Sequence, residues 1–262
     1  MNTQLSVDLN ADLGEGFGAY TYGADPELLP LVTSANIACG CHAGDPGIMR
    51  RAAALARRHG VCIGAHPGYP DRAGFGRRYM ELSAQEVIDG LLFQIGALDG
   101  ICRAEGTRVS YVKPHGALYN AAVRNEALAA AIAGAVRAYS PALYLLCPAG
   151  SAMAQAAHAE GLPVAQEFFA DRGYQDDGTL VPRKCPDAVI SDPEAVCRRV
   201  VRAVRDGTVE TVSGRCIPVR FESVCLHGDT PAAAALARRI RDSLLEASIA
   251  LAPFAGGDAH AL

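Results

Sequence analysis

The sequence predicts an α/β barrel built from seven strand-helix units, and three observations predict it. Short apolar runs alternate with helical periodicity along all 262 residues, with no break in composition. Dense clusters of His, Asp, Asn, Glu, Lys and small residues follow the strands, while the helices carry almost none. Polar groups at the exits of successive parallel strands converge on one rim of a barrel. A doubly wound open sheet also collects ligands at its strand ends and is the competing architecture.

Residues 5–9 read as a strand running into DLNADLGEGFG, which sets Asp8, Asn10, Asp12 and Glu15 in eight residues. With period-two alternation the first three share one side of an extended segment, and in a barrel that side can be the mouth. Turn chemistry is the alternative for each. The next apolar run ends in SANIACGCHAGDP, bearing Asn36, His42 and Asp45. Asp45 suits a helix cap and Pro46 a first helical position, after which Ile48, Met49, Ala52, Leu55 and Ala56 recur at helical spacing up to His59 and Gly60. The run VCIGAHPG repeats the arrangement, with His66 among Gly64, Pro67 and Gly68. A long loop, PGYPDRAGFGRRYM, follows. Its glycines let it close over a ligand, and Arg72, Arg77 and Arg78 offer planar forks for a carboxylate or phosphate. Ser83 and Glu86 form a capping box for a helix through Val87, Leu91, Ile95 and Leu98, on which Gln94 has no assigned role.

Residues 109–112 form the fourth strand and deliver KPHGALYN, with Lys113, His115, Tyr119 and Asn120. A lysine ending an apolar strand is costly to bury alone, so it pairs with a carboxylate or awaits an anionic ligand. An Ala-rich helix over 127–138 and a fifth strand in ALYLLCPAG read as scaffold. The sixth strand, 162–168, opens into EFFADRGYQDDGTLVPR, where Glu167, Asp171, Arg172, Tyr174 and Arg183 surround a second loop able to act as a lid. A helix runs from Asp192-Pro193 to Gly207, and a hairpin follows around Ser213-Gly214. The seventh strand, ESVCLHGD, ends in His227 and Asp229, and Thr230-Pro231 opens the last helix. The expected organisation is one barrel domain over 1–254 and a loose tail over 255–262.

Half the residues are apolar, a fifth are charged, and the net charge is −4. This composition excludes a disordered or collagen-like chain, and without a basic block nothing recommends nucleic acid or an anionic membrane as partner. Nine cysteines, odd in number and scattered through strands and helices, point to buried free thiols rather than disulfides. Cys39 and Cys41 lack a second pair at zinc-site spacing, so no structural zinc is expected. The chain opens with no basic-then-apolar segment and has no run of 18 apolar residues, so a cytoplasmic location without a membrane span is expected.

Taken together, DLNADLGEGFG, SANIACGCHAGDP, GAHPGYPD with GFGRR, KPHGALYN, EFFADR with LVPR, and SVCLHGD resemble the LamB/YcsF family, identified with the A subunit of the bacterial ATP-dependent 5-oxoprolinases. The resemblance runs from about Asp8 to Asp229. It implies an incomplete seven-stranded (βα) barrel of the glycoside hydrolase/deacetylase type. It also implies cleavage of the lactam of 5-oxo-L-proline to L-glutamate coupled to ATP hydrolysis, with partner subunits B and C. ATP enters as a co-substrate handled with those partners, since this chain has neither a GxxxxGK[ST] stretch nor a dinucleotide fingerprint. Family members commonly carry cysteine where Ala11 stands and phenylalanine where Cys41 stands, which favours a mechanism without a covalent thiol.

On these motifs the expected catalytic residues are Asp12, Glu15, His42, His66, Lys113, His115, Glu167 and His227. The expected substrate-binding residues are Asp8, Asn10, Asn36, Asp45, Arg77, Tyr119, Asp171, Arg172 and Asp229. A carboxylate among Asp8, Asp12, Glu15 and Glu167 would orient or deprotonate water, a histidine would pass a proton to the ring nitrogen, and Lys113 with Arg172 would hold negative charge. Two other readings stay open. Asp12, His42, His66 and His227 are a plausible ligand set for a metal-dependent, deacetylase-like amide hydrolase, so the sequence leaves a divalent metal undecided. The chain could also be a non-catalytic subunit that presents substrate.

Overall fold

The computed structural model describes residues 5–182, 184–226 and 233–255. In chain order its elements are β1 (Ser6–Leu13), α1 (Asp25–Leu28), β2 (Ser34–Ala38), α2 (Pro46–His59), β3 (Cys62–His66), α3 (Ala84–Ala104), β4 (Val109–Val112), α4 (Gly116–Ala122) and α5 (Glu126–Tyr139). There follow β5 (Tyr144–Pro148), α6 (Ala152–Ala159), β6 (Val164–Phe169), α7 (Pro193–Asp206), the hairpin β7 (Thr208–Glu210) and β8 (Cys216–Pro218), β9 (Ser223–Leu226), α8 (Ala233–Glu246) and β10 (Ala250–Leu251). Strands β1, β2, β3, β4, β5, β6 and β9 pair in parallel in that order, and β9 pairs back onto β1. The ring is therefore a closed seven-stranded parallel barrel, and the open-sheet alternative falls on the pairing of Asp8 with Ser223 and Asn10 with Cys225.

Helix boundaries follow local chemistry. The Asp45 carboxylate accepts from the Ile48 N–H and caps α2, Ser83 and Glu86 complete a capping box on α3, and Asp192 caps α7. Gly60 and Gly207 end α2 and α7 at φ of 66° and 62°, the left-handed conformation that glycine adopts without a Cβ clash. Six of the nine free cysteines are buried. Among the described residues, no helix is long and apolar enough to cross a membrane.

Two differences from the sequence expectation stand out. Strand β1 extends to Leu13, so DLNADL is strand and not the start of a loop. Its polar residues satisfy one another across the ring interior, while Leu9, Ala11 and Leu13 join the core that packs under the helices. Ala11 thus faces away from the barrel interior, and its departure from the family pattern removes no group from it. The second difference is β10, which pairs with Ser6 and Val7 alongside the start of β1. The tail over 256–262 and the Thr230-Pro231 helix start lie outside the described residues.

The barrel interior also sets a pH dependence of stability. Asp8 is buried and accepts hydrogen bonds from Thr33 and Ser34, both at 2.6 Å, and from Ser223. Burial raises its pKa to about 6, against the opposing pull of those three hydroxyls. The native state therefore binds more protons than the unfolded chain between about pH 4 and 6, and stability falls by about 3 kcal/mol as pH rises through that window. Asp8→Asn is expected to flatten this slope, measured as urea midpoints at either end of the window; an unchanged slope would assign it to another group.

Candidate active site

Strand alternation brings the polar residues of β1, β2, β6 and β9 together inside the ring, and Lys113, just past the end of β4, reaches into them. Its ammonium lies 2.8 Å from Glu167 Oε1 and 3.1 Å from Asp12 Oδ1, and it also donates to Asn10 Oδ1 and meets the Cys225 sulfur. Burial works against the lysine charge, but Asp12, Cys225 and Glu167 outweigh it and hold the pKa well above the ordinary value. Lys113 is therefore the cationic centre of the barrel. Around it Asn36 donates to Asn10 and Asp12 and accepts from the Tyr111 hydroxyl, while Tyr119 donates to Glu167 Oε2 at 2.9 Å. Gly64 makes room for this packing, since a Cβ there would lie 2.1 Å from the Tyr111 ring. Glu167, Tyr119, Phe169, Tyr174, Leu180 and Arg220 line a cavity of about 700 Å³ over the exits of β5 and β6, so the lysine pair lies directly beneath its floor.

Three histidines from three successive strand exits meet beside that pair. His42 stacks on His115 with ring centroids 3.7 Å apart and planes 5° from parallel, and both meet His66 edge-on. Glu15 Oε1 lies 3.5 Å from His42 Nε2 and 3.5 Å from His115 Nδ1, and Asp12 Oδ1 lies 3.5 Å from His66 Nε2. Burial pushes His42 well below the usual histidine range, as do the neighbouring rings of His115 and His66; burial and then His66 bring His115 down to about 3. Both rings are neutral near pH 7.

The first long loop serves this cluster. Gln94 bridges the N–H and C=O of Gly68, each at 3.0 Å, and fixes the loop where it leaves β3. Asp71 accepts from the Gly74 N–H and from Arg78. The turn between them puts Phe75 at φ 55°, and its carbonyl accepts from His115 Nε2 at 2.9 Å. Neither Gln94 nor the Phe75 carbonyl was assigned a role from sequence. For Gln94 a signal existed: an amide on the same helical face as Leu91, Ile95 and Leu98.

Asp12, Glu15, His42, His66, Lys113, His115, Tyr119 and Glu167 thus gather around one centre, with Asp8, Asn10 and Asn36 in the hydrogen-bonded layer that carries it. Other assignments go elsewhere. Asp45 is occupied as a cap, accepting from the N–H groups of Ile48 and Gly18, so it is corrected from substrate binding to structure. Arg172 donates to the carbonyls of Ala188 and Val181 at 2.9 and 2.6 Å and holds the second loop together instead of pairing with Lys113. Asp171 is on that loop with its charge towards Arg199. Arg78 is committed to Asp71, and Arg72 to the Gly40 carbonyl; Arg77 lies exposed, 5.2 Å from the centroid of the Phe75 ring. His227, Asp229 and Arg183 lie outside the described residues. Asp45→Ala is expected to cost about 1 kcal/mol of stability and leave turnover within twofold; a large rise in KM would return it to the binding site.

Comparison with known proteins agrees with this fold. The LamB/YcsF family model matches residues 7–259. A 5-oxoprolinase A subunit of Streptomyces avermitilis is 53% identical over 95% of this chain and all of its own length. A 5-oxoprolinase A subunit of Rhodopseudomonas palustris is 51% identical over 96% of this chain and 99% of its own. The crystal structure of a lactam utilization protein from Thermus thermophilus superposes with a TM-score of 0.92 at 47% identity, covering 95% of this chain and 100% of that one. With the closed seven-stranded ring, the six ordered motifs and a family model spanning nearly the whole sequence, this chain belongs to the LamB/YcsF family.

Proposed function

We propose that this chain is the A subunit of an ATP-dependent 5-oxoprolinase, opening the lactam of 5-oxo-L-proline to L-glutamate together with subunits B and C. Relatives of about half identity over nearly their whole length bear that subunit name, which supports the reading. The observation that carries it is the buried Lys113 held between Asp12 and Glu167, next to neutral histidines.

A five-membered lactam is a stabilised amide with a poor leaving group. Transfer of the ATP γ-phosphoryl group to the lactam oxygen, assigned to the partner subunits, makes the ring carbon electrophilic. Water held by Glu167 or Asp12 adds to that carbon and gives up a proton to the carboxylate. The ammonium of Lys113 stabilises the negative charge that develops. The carbon-nitrogen bond then breaks, with the proton delivered to the departing nitrogen from the histidine side. A second water releases phosphate from the resulting acyl phosphate, so the sum is 5-oxoproline, ATP and two waters going to glutamate, ADP and phosphate.

The test is reconstitution: the purified chain is mixed with its candidate partners, and glutamate and ADP are followed while each component is omitted. Glutamate formation is expected only when this chain is present. Full turnover without it would overturn the assignment, and ATP-dependent turnover by this chain alone would overturn the division of labour. A second reading, metal-dependent hydrolysis of an amide without ATP, is favoured by the histidine cluster alone; ATP-independent release of acid from 5-oxoproline or an N-acetylated substrate would select it.

A further inference from the structure

Two backbone carbonyls decide which ring nitrogens in the histidine cluster carry hydrogen. A carbonyl only accepts, so His66 Nδ1, 2.7 Å from the Lys113 oxygen, and His115 Nε2, 2.9 Å from the Phe75 oxygen, are both N–H donors. With one hydrogen on each ring, this leaves His66 Nε2 and His115 Nδ1 as bare lone pairs facing each other across 3.0 Å. Two facing lone pairs repel unless something positive lies beside them. A proton would satisfy that pair at the cost of a buried imidazolium, and it would still leave His42 unanswered. His42 is 1% exposed, and no hydrogen bond reaches either of its ring nitrogens. A buried polar group in that state destabilises the fold that holds it.

We propose that Glu15, His42, His66 and His115 form a binding site for one divalent transition-metal ion of the zinc type. One donor atom from each of the four lies within 4.8 Å of the others. Ligands at bond lengths of about 2.0–2.1 Å around a tetrahedral ion stand roughly 3.4 Å apart; the separations of 3.0, 3.5 and 3.5 Å among His66, His115, Glu15 and His42 are already of that size. Nitrogen-rich donors select zinc, cobalt, nickel or iron over magnesium and calcium, which take oxygen ligands. The N–H groups of His66 and His115 turned onto carbonyls are the arrangement that orients a metal-bound imidazole. Charge agrees, since the three carboxylates of Asp12, Glu15 and Glu167 gather beside the one ammonium of Lys113.

The stack of His42 on His115 sends their ring planes along parallel lines, so loading the site tilts His42, the ring with no hydrogen bond to lose. Glycines keep the space for these rings: a Cβ at Gly68 would lie 2.8 Å from His42 Nδ1, and one at Gly76 would lie 2.8 Å from His115 Cδ2. The inference does not depend on which amide the site opens.

The test reads metal rather than turnover. The chain is stripped with a chelator, dialysed against zinc or cobalt, and analysed for bound metal, with the visible ligand-field bands of cobalt reporting coordination. One ion per chain is expected, with a rise in Tm on loading. Glu15→Gln and His42→Ala are each expected to weaken binding by at least about 100-fold, the upper end of what loss of an outer-shell partner costs, while replacing the exposed His158 of α6 changes nothing. Circular dichroism checks that each variant is folded, and His115→Asn substitutes for one that is not. Absence of stoichiometric metal in the wild-type chain, or undiminished binding in both Glu15→Gln and His42→Ala, would overturn the site and leave a proton between His66 and His115. Loss of lactam turnover with metal binding intact would instead count against the proposed substrate.

Discussion

Replacing Lys113 with methionine is expected to lower reconstituted turnover by about 10²–10³-fold, the size of effect seen when a positioned donor is removed from developing negative charge. The methionine keeps most of the aliphatic stem, so packing changes little. What disappears is the cation 2.8 Å from Glu167 and 3.1 Å from Asp12. Two carboxylates then stand in a buried site without their shared cation, and breaking a buried pair in this way costs about 3–5 kcal/mol. The deficit is expected to shrink on acidification, because two like charges held close together in a buried site favour taking up one proton between them. Urea denaturation of the variant at two pH values measures this. Adding Glu167→Gln should restore part of the stability while leaving the rate low, and recovery of both together would mean that Lys113 only supports the fold.

His115→Ala is the second large effect, with a fall in kcat of about 10²–10⁴-fold expected when the cluster that delivers the proton loses the ring that joins its members. Its ring touches His42, His66, Glu15 and the Phe75 carbonyl, so no other side chain can take its place. KM is expected to change far less than kcat, since the lysine pair and the cavity beside Glu167 are untouched. A rise in KM with kcat preserved would make His115 a binding residue, and near-normal values of both would remove it from the site. Because the ring is 4% exposed, thermal denaturation must accompany the kinetics to separate lost chemistry from lost structure.

Much of this arrangement was legible in the sequence because strand exits are short and chemically dense. His42, His66 and His115 each follow an apolar run by a few residues, and a parallel barrel has only one place to put such groups. The even spacing of Asp8, Asn10 and Asp12 gave their common face, but not that β1 continues through them. A polar strand reads as a loop until its partners are known, and those partners, Ser34, Asn36, Lys113 and Ser223, come from three other strands or their exits. Arg172 misled for a related reason. A conspicuous arginine in a long loop suggests an anion clamp, whereas a loop without regular structure must satisfy its own carbonyls, and here that guanidinium satisfies two of them. Asp45 answered both descriptions in the sequence, and only the N–H of Gly18 at 2.8 Å, together with that of Ile48, decides for the cap.

The strand that carries Asp8, Asn10, Asp12 and the approach to Glu15 has partners far apart in the sequence: β2 soon after it, β9 and β10 more than two hundred residues later. During synthesis this first segment leaves the ribosome long before Ser223 or Ala250 exists, so it waits with one flank unpaired while the intervening units assemble. Such distant closure makes the final step slow and leaves the nascent chain open to misassociation until translation ends. A chain cut short before Ser223 would yield not a weakened barrel but an open sheet, with β1 paired to β2 on one flank and bare on the other.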